Sequence, residues 1–142
     1  MRKNNFNEVV KVVLLCGGKG ERLYPMTSNL PKPLVKIKEK PILSYIIDHL
    51  NKYNLRNLLI LTGYKSEKIL EYVNEKYENS NILTLKSGDI DIIERIKGAL
   101  PYINSDFMVL YGDTISNIDI DKLIRFHKSS DYPVTMAVYP LV

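Results

Sequence analysis

A near-continuous apolar run from Val9 to Leu15 ends directly in a glycine-rich turn, Cys16-Gly17-Gly18-Lys19-Gly20. An apolar strand without clear alternation is buried on both faces, so this one belongs inside a parallel sheet covered by helices. The turn constrains the chain further. Three glycines in four positions permit the positive φ angles of a tight loop and let backbone approach a ligand closely. Amides freed in such a loop form a concavity suited to phosphate oxygens. Arg22 can hold phosphate bidentately, and Lys32, locked between Pro31 and Pro33, supplies a mobile point charge. For the GGKG segment alone, an ordinary surface turn with solvated charges remains open.

Strand and helix signals alternate along the rest of the chain. Further strands are expected at 57–62, 82–85, 107–111 and 134–138, which makes five with the first. Pro41 opens a helix carrying Ile42, Tyr45, Ile46, Leu50 and Tyr53 at helical spacing. Ser66 caps a second, with Ile69, Leu70, Val73 and Tyr77 as its apolar face. A third runs from Ile92 to Leu100 and stops near Pro101, and a fourth spans 119–128 with Leu123, Ile124 and Phe126 inward. The pattern predicts an α/β fold: a Rossmann-like, mostly parallel sheet with right-handed crossovers and helices on both faces, in one domain over 1–142. Such sheets bind ligands beyond the C-terminal ends of their strands, near the switch point of the topology. The unusual residues gather there: Gly17 to Arg22, Gly63 and Lys65, Ser87-Gly88, and Asp113.

Several function classes are excluded or disfavoured. No glycine has P-loop spacing, and the dinucleotide fingerprint fits Gly18 and Gly20 but places Leu23 at its third glycine. The net charge of +4 suits an anionic ligand, but the cations are not blocked together. Lys36, Lys38 and Lys40 alternate with Ile37 and Glu39 as on the polar face of a short strand, with no aromatic stripe, which argues against nucleic acid. The single cysteine, Cys16, excludes an internal disulfide, fits a reducing cytoplasm and reads as core filler rather than nucleophile. MRKNN leads into an apolar run broken by Lys11 and lacking a cleavage site, so no signal peptide is expected. No segment approaches the ~20 apolar residues of a membrane span, and a soluble protein without a membrane partner is expected.

Asp113 follows a buried strand as LYGD, where a hard carboxylate suits Mg²⁺; turn capping before Thr114 is the alternative. Asp119 and Asp121 read as helix N-terminal charges, while His49 and His127 lack metal or triad spacing. The lack of a general base is informative. A phosphomonoester, with its second pKa at about 6, is already a dianion near neutrality. It can attack the α-phosphorus of a nucleoside triphosphate with no proton to remove. The protein must then position two anions, offset their repulsion and stabilise departing pyrophosphate.

The run GGKGERLYPMT with LPKPLV matches the G-G-x-G-x-R-L-x-P-x-T and P-K-P pattern of sugar-phosphate nucleotidyltransferases. With KPIL at 40–43, TGYK at 62–65, RIKGALPYI at 95–103 and YGDTISNIDIDKLIRFHKS at 111–129, the chain resembles the N-terminal half of glucose-1-phosphate cytidylyltransferase and its relatives. The resemblance implies a GT-A-like core that transfers CMP from CTP to a phosphorylated acceptor, such as glucose 1-phosphate. It implies a nucleotide site formed by Leu15, Cys16, Gly17, Gly18, Gly20, Glu21, Arg22, Lys32, Ser87, Gly88 and Arg95. Arg22, Lys32 and Asp113 would be catalytic, with Mg²⁺ on Asp113.

The chain departs from that pattern in three places. Lys19 and Glu21 replace smaller residues, the connection from Tyr77 to Ser87-Gly88 is short, and the sequence ends at Val142. The relatives' second half supplies much of the acceptor pocket and a second metal carboxylate, so a core truncated at its C-terminus is expected. Three alternatives stay open: a small non-sugar acceptor such as phosphocholine or a phospho-amino acid, a nucleotide-binding module without turnover, and a fragment whose open sheet edge needs another chain, as in a homo-oligomer.

Overall fold

The computed structural model describes residues 10–78 and 80–140. Val9, expected to open the first strand, lies outside the described residues. The strands are β1 (Lys11–Cys16), β2 (Lys36–Ile37), β3 (Lys40–Pro41), β4 (Leu58–Thr62), β5 (Ile82–Lys86) and β6 (Phe107–Tyr111). The helices are α1 (Ile42–Lys52), α2 (Ser66–Lys76), α3 (Ile92–Ala99) and α4 (Ile120–Ser129).

Four strands form one parallel sheet in the order β5-β4-β1-β6. From β1 the chain steps outward through β4 to β5, then returns to place β6 on the opposite side of β1. The connections therefore diverge between β1 and β6, and a crevice opens beyond their C-terminal ends.

Side chains alternate across the sheet, as strand geometry requires. Val12, Leu14 and Cys16 of β1 and Leu58 and Ile60 of β4 pack beneath α1, α2 and α4. Val13, Leu59 and Leu61 face the other way, onto Ala99 of α3. Val12, Val13 and Leu14 are fully buried, each contributing about 1.5–3 kcal/mol by burial. The two faces are unequally covered, three helices against one. Consequently Phe107, Val109 and Tyr111 of β6 remain exposed on the thinner side.

The parallel sheet with helices on both faces is as the sequence predicts, with local corrections. The fifth strand does not form: 134–140 carries no regular structure, and Val134, Met136 and Val138 are exposed. Apolar alternation makes a strand only where a ladder partner exists, and none pairs with it among the described residues. Phe126 is 63% exposed, because it lies two residues from buried Ile124 and so on the far side of α4. Leu70 is likewise exposed beside buried Ile69. Ser66 is the first residue of α2 rather than its cap; Lys65 caps it at φ 49°, and Ser66 bonds Thr62 through their hydroxyls at 2.6 Å. The lysine-rich 36–40 stretch is a small hairpin, with Lys38 and Glu39 at φ 48° and 66° forming its turn. Among the described residues, no helix is long and apolar enough to cross a membrane.

Candidate functional site

The crevice at the switch point has a volume of about 480 Å³. Its walls are the end of β1 at Leu15 and Cys16, the loop at Gly18, Lys19 and Gly20, the single turn Glu21–Leu23, Lys32 and Pro33, and the acids Asp89 and Asp113.

Each part has a local cause. Gly20 adopts φ 66° to start the Glu21–Leu23 turn. Its carbonyl accepts from Leu23 N and from the hydroxyl of buried Thr27, both at 2.9 Å, which explains the threonine at the end of the motif. A Cβ on Gly20 would stand 3.0 Å from both Thr27 and Lys32. Lys32 begins a second short turn, Lys32–Leu34, anchored by buried Pro33 and Leu34. Tyr64 ties the intervening segment down: its hydroxyl donates to the carbonyls of Thr27 at 3.0 Å and Ser28 at 3.1 Å, and its amide to Gly17 at 3.2 Å.

At the β6 end, Gly112 N donates to Leu15 O at 2.9 Å, and a Cβ on Gly112 would lie 2.2 Å from Cys16 Sγ. This close approach presents Asp113 to the crevice. Its Oδ2 lies 2.7 Å from Lys32 Nζ, and its Oδ1 accepts from the Thr114 hydroxyl at 3.3 Å. The carboxylate thus takes side-chain donors, not the backbone amides of a capped turn. Asp119 does cap α4, accepting from Lys122 N at 3.0 Å.

Across the mouth, Lys19 Nζ pairs with Asp89 Oδ2 at 2.9 Å. That hydrogen bond and then its charge raise the Lys19 pKa and lower that of Asp89. Arg22 is exposed and makes no ion pair among the described residues. Burial, then the Asp113 charge, push the Cys16 thiol up to about 12, so no thiolate is available for nucleophilic work.

The structure therefore brings Leu15, Cys16, Gly18, Gly20, Glu21, Arg22, Lys32 and Asp113 together around one crevice. Gly17, Ser87, Gly88 and Arg95 do not line the crevice; they form the packing behind it. Arg95 is only 5% exposed. Its Nη1 donates to Ser87 Oγ at 2.8 Å and Thr62 O at 3.2 Å, and its Nη2 to Gly88 O at 3.1 Å and Ile90 O at 3.0 Å. Lys65 also stands apart from the crevice, over the Tyr64 ring at 5.3 Å. The site named from the sequence omits Lys19, Leu23, Pro33 and Asp89 of the lining, and Tyr64, which braces the loop. For Lys19, Asp89 and Tyr64, the glycines beside them signalled a turn at the sheet edge.

Among the described residues, no group of three or more His, Cys, Asp or Glu could hold a metal ion. The single carboxylate of Asp113 does not form a resident centre. It does fit Mg²⁺ arriving with a nucleotide, since that ion retains waters and takes one or two carboxylates beside substrate phosphates.

A family model described as nucleotidyl transferase matches residues 11–141. A probable glucose-1-phosphate cytidylyltransferase from Bacillus subtilis is 34% identical, over 89% of this chain and 59% of its own length. The crystal structure of HddC from Yersinia pseudotuberculosis complexed with GMP-PN is 30% identical with a TM-score of 0.76, covering 86% of this chain and 56% of that one. The CTP:phosphocholine cytidylyltransferase LicC from Streptococcus pneumoniae is 28% identical with a TM-score of 0.62, covering 73% of this chain and 45% of its own. The chain thus spans about half the length of these relatives. With the glycine turn, the proline-locked lysine and the aspartate after β6 on one crevice, and a match that runs through every strand, the chain belongs to the nucleotidyl transferase family.

Proposed function

We propose that the chain carries the nucleotide site of a cytidylyltransferase, which moves CMP from CTP to a phosphorylated acceptor and releases pyrophosphate. One observation carries this reading: Arg22, Lys32 and Asp113 converge on a single crevice beside the glycine turn at the switch point. The Bacillus likeness supports glucose 1-phosphate as acceptor. The likeness to LicC supports phosphocholine, a smaller alternative, and HddC with GMP-PN makes GTP the rival triphosphate.

In this reading, amides of the Gly17–Gly20 loop receive phosphate oxygens as neutral donors. Arg22, exposed and not ion-paired, swings onto the β- and γ-phosphates and takes up charge as pyrophosphate leaves. Lys32 bridges toward the α-phosphate, where charge develops. Asp113 would hold a Mg²⁺ carried in by the nucleotide, and that ion would supply electrostatic relief between attacking and departing oxygens. No residue serves as base, since the acceptor phosphate attacks as its dianion. The buried free thiol of Cys16 agrees with a reducing, cytoplasmic setting.

The test is a screen of phosphorylated acceptors against the four triphosphates with Mg²⁺, reading pyrophosphate. Pyrophosphate release from CTP that requires an acceptor supports the proposal. Arg22→Ala should then lower turnover about a hundredfold, ~3 kcal/mol of transition-state stabilisation. Undiminished turnover would remove Arg22 from the mechanism. CTP binding with no product under any acceptor would favour a binding module instead.

A further inference from the structure

The arginine behind the crevice is an unusual cation. Arg95 is 5% exposed, yet every acceptor of its terminal nitrogens is uncharged: three backbone carbonyls and the hydroxyl of Ser87. Among the described residues, no carboxylate forms an ion pair with it. A buried charge is ordinarily paired, because desolvation is costly and neutral dipoles offset only part of it. The guanidinium also lies hard against the glycine turn. A Cβ built on Gly17 would come within 1.6 Å of Nη1.

On the crevice wall the balance differs. Two of its cations are already engaged by carboxylates, Lys19 by Asp89 and Lys32 by Asp113. The third, Arg22, makes no ion pair among the described residues but is exposed; the unpaired charge that solvent screens poorly sits beneath the turn.

We propose that Arg95 is a positioning residue that also acts electrostatically, its charge, unpaired in the ligand-free protein, being completed by the polyanionic tail of the ligand above Gly17. Resting on the nucleotide reading, this assigns Arg95 no contact with ligand. It acts through the turn, by holding Gly17 and the Ser87–Ile90 segment in place and by making the floor positive. At Cys16, where burial and then Asp113 raise the pKa, and at Asp89, where the Lys19 hydrogen bond leads the lowering, the charge of Arg95 acts to lower the pKa, which agrees with a field that reaches the site.

The proposal is tested by calorimetry at fixed ionic strength in EDTA, with phosphate, pyrophosphate, tripolyphosphate and CTP as probes. For the wild type, affinity should climb with each added phosphate. Arg95→Gln keeps amide donors and loses the charge. It should flatten the climb, losing about tenfold more affinity for tripolyphosphate than for phosphate, the order expected for one charge near the site at an effective dielectric of about 20. A purely architectural role would weaken all three inorganic anions by one common factor, and that result overturns the proposal.

Arg95→Lys provides the second arm. A buried lysine loses its proton more readily than an exposed one, whereas arginine stays charged. Raising the pH should therefore flatten the climb in Arg95→Lys beyond whatever the wild type loses. Identical pH courses for the two proteins also overturn the proposal. The nucleotide reading fails separately, if CTP binds the wild type no more tightly than tripolyphosphate does.

Discussion

Lys32 Nζ lies 2.7 Å from Asp113 Oδ2, which joins the proline-locked turn to the end of β6. The carboxylate suited to a metal and the ammonium suited to phosphate thus satisfy each other in the absence of ligand. Each side chain is about one-third exposed, so water screens the pair and the link is readily exchanged. A nucleotide arriving with its metal would offer both groups a better partner at once.

That exchange makes a prediction with opposite signs for two observables. Lys32→Gln should raise the affinity of the ligand-free protein for Mn²⁺, a magnetic stand-in for Mg²⁺, by about tenfold, since the competing cation is gone. The same variant should lower turnover. Electron paramagnetic resonance titration reads the first effect, and unchanged Mn²⁺ affinity would show that the pair does not compete with metal.

Gly17 and Gly18 should respond differently to the same methyl group. On Gly17 it would meet Arg95, which is held by its four acceptors and cannot retreat cheaply. On Gly18 nothing lies within 4 Å, and its φ is not positive. Gly17→Ala should therefore cost about 1–3 kcal/mol of stability through overpacking, while Gly18→Ala stays near neutral. Denaturant melts compare the two, and equal midpoints would contradict this packing of Arg95 against the turn.

The Lys19–Asp89 strap should resist mild acid. Lys19 holds the Asp89 carboxyl below its ordinary pKa of 3.8, first through the hydrogen bond and then through charge. A lowered folded-state pKa means the pairing is fully present above the unfolded value and disappears as pH falls through the folded one. An NMR titration of the Asp89 carboxyl should give a midpoint under 3.8, and Lys19→Ala should move it upward. A midpoint at the ordinary value in the parent protein would mean that the strap does not persist in solution.

Cys16 should be silent toward thiol reagents until the chain unfolds. Its thiol is buried and pushed up to about 12, which leaves almost no thiolate near neutral pH. Labelling by a disulfide reagent should follow the unfolding curve. Rapid labelling of the folded protein would contradict the close contact with Gly112.

Much of this was legible in the chain because the relevant signals are local. Val12 to Leu14 and Leu58 to Leu61 read as buried strands from their apolar runs alone, and the glycine turn and Asp113 fall at strand ends for the same reason. What failed depends on partners distant in sequence. The 134–138 stretch has the alternation of a strand but no ladder to join. Phe126 follows Leu123 at helical spacing, so the pattern alone places it inward, although it stands on the far side of α4 from buried Ile124. Arg95 offered a cation in a helix, and nothing nearby in sequence reveals that Thr62, Ser87 and Gly88 close over it.

That closure also limits how the crevice can move. Arg95 links the ends of β4 and β5, and Gly63 leaves no room between Gly17 and Gly88, where a Cβ would lie 2.6 Å and 2.8 Å from their carbonyl oxygens. Three loops from three strands are riveted into one slab. Any widening of the crevice must then come from its other lining residues, among them Lys32 and Asp113, which hold each other by one ion pair.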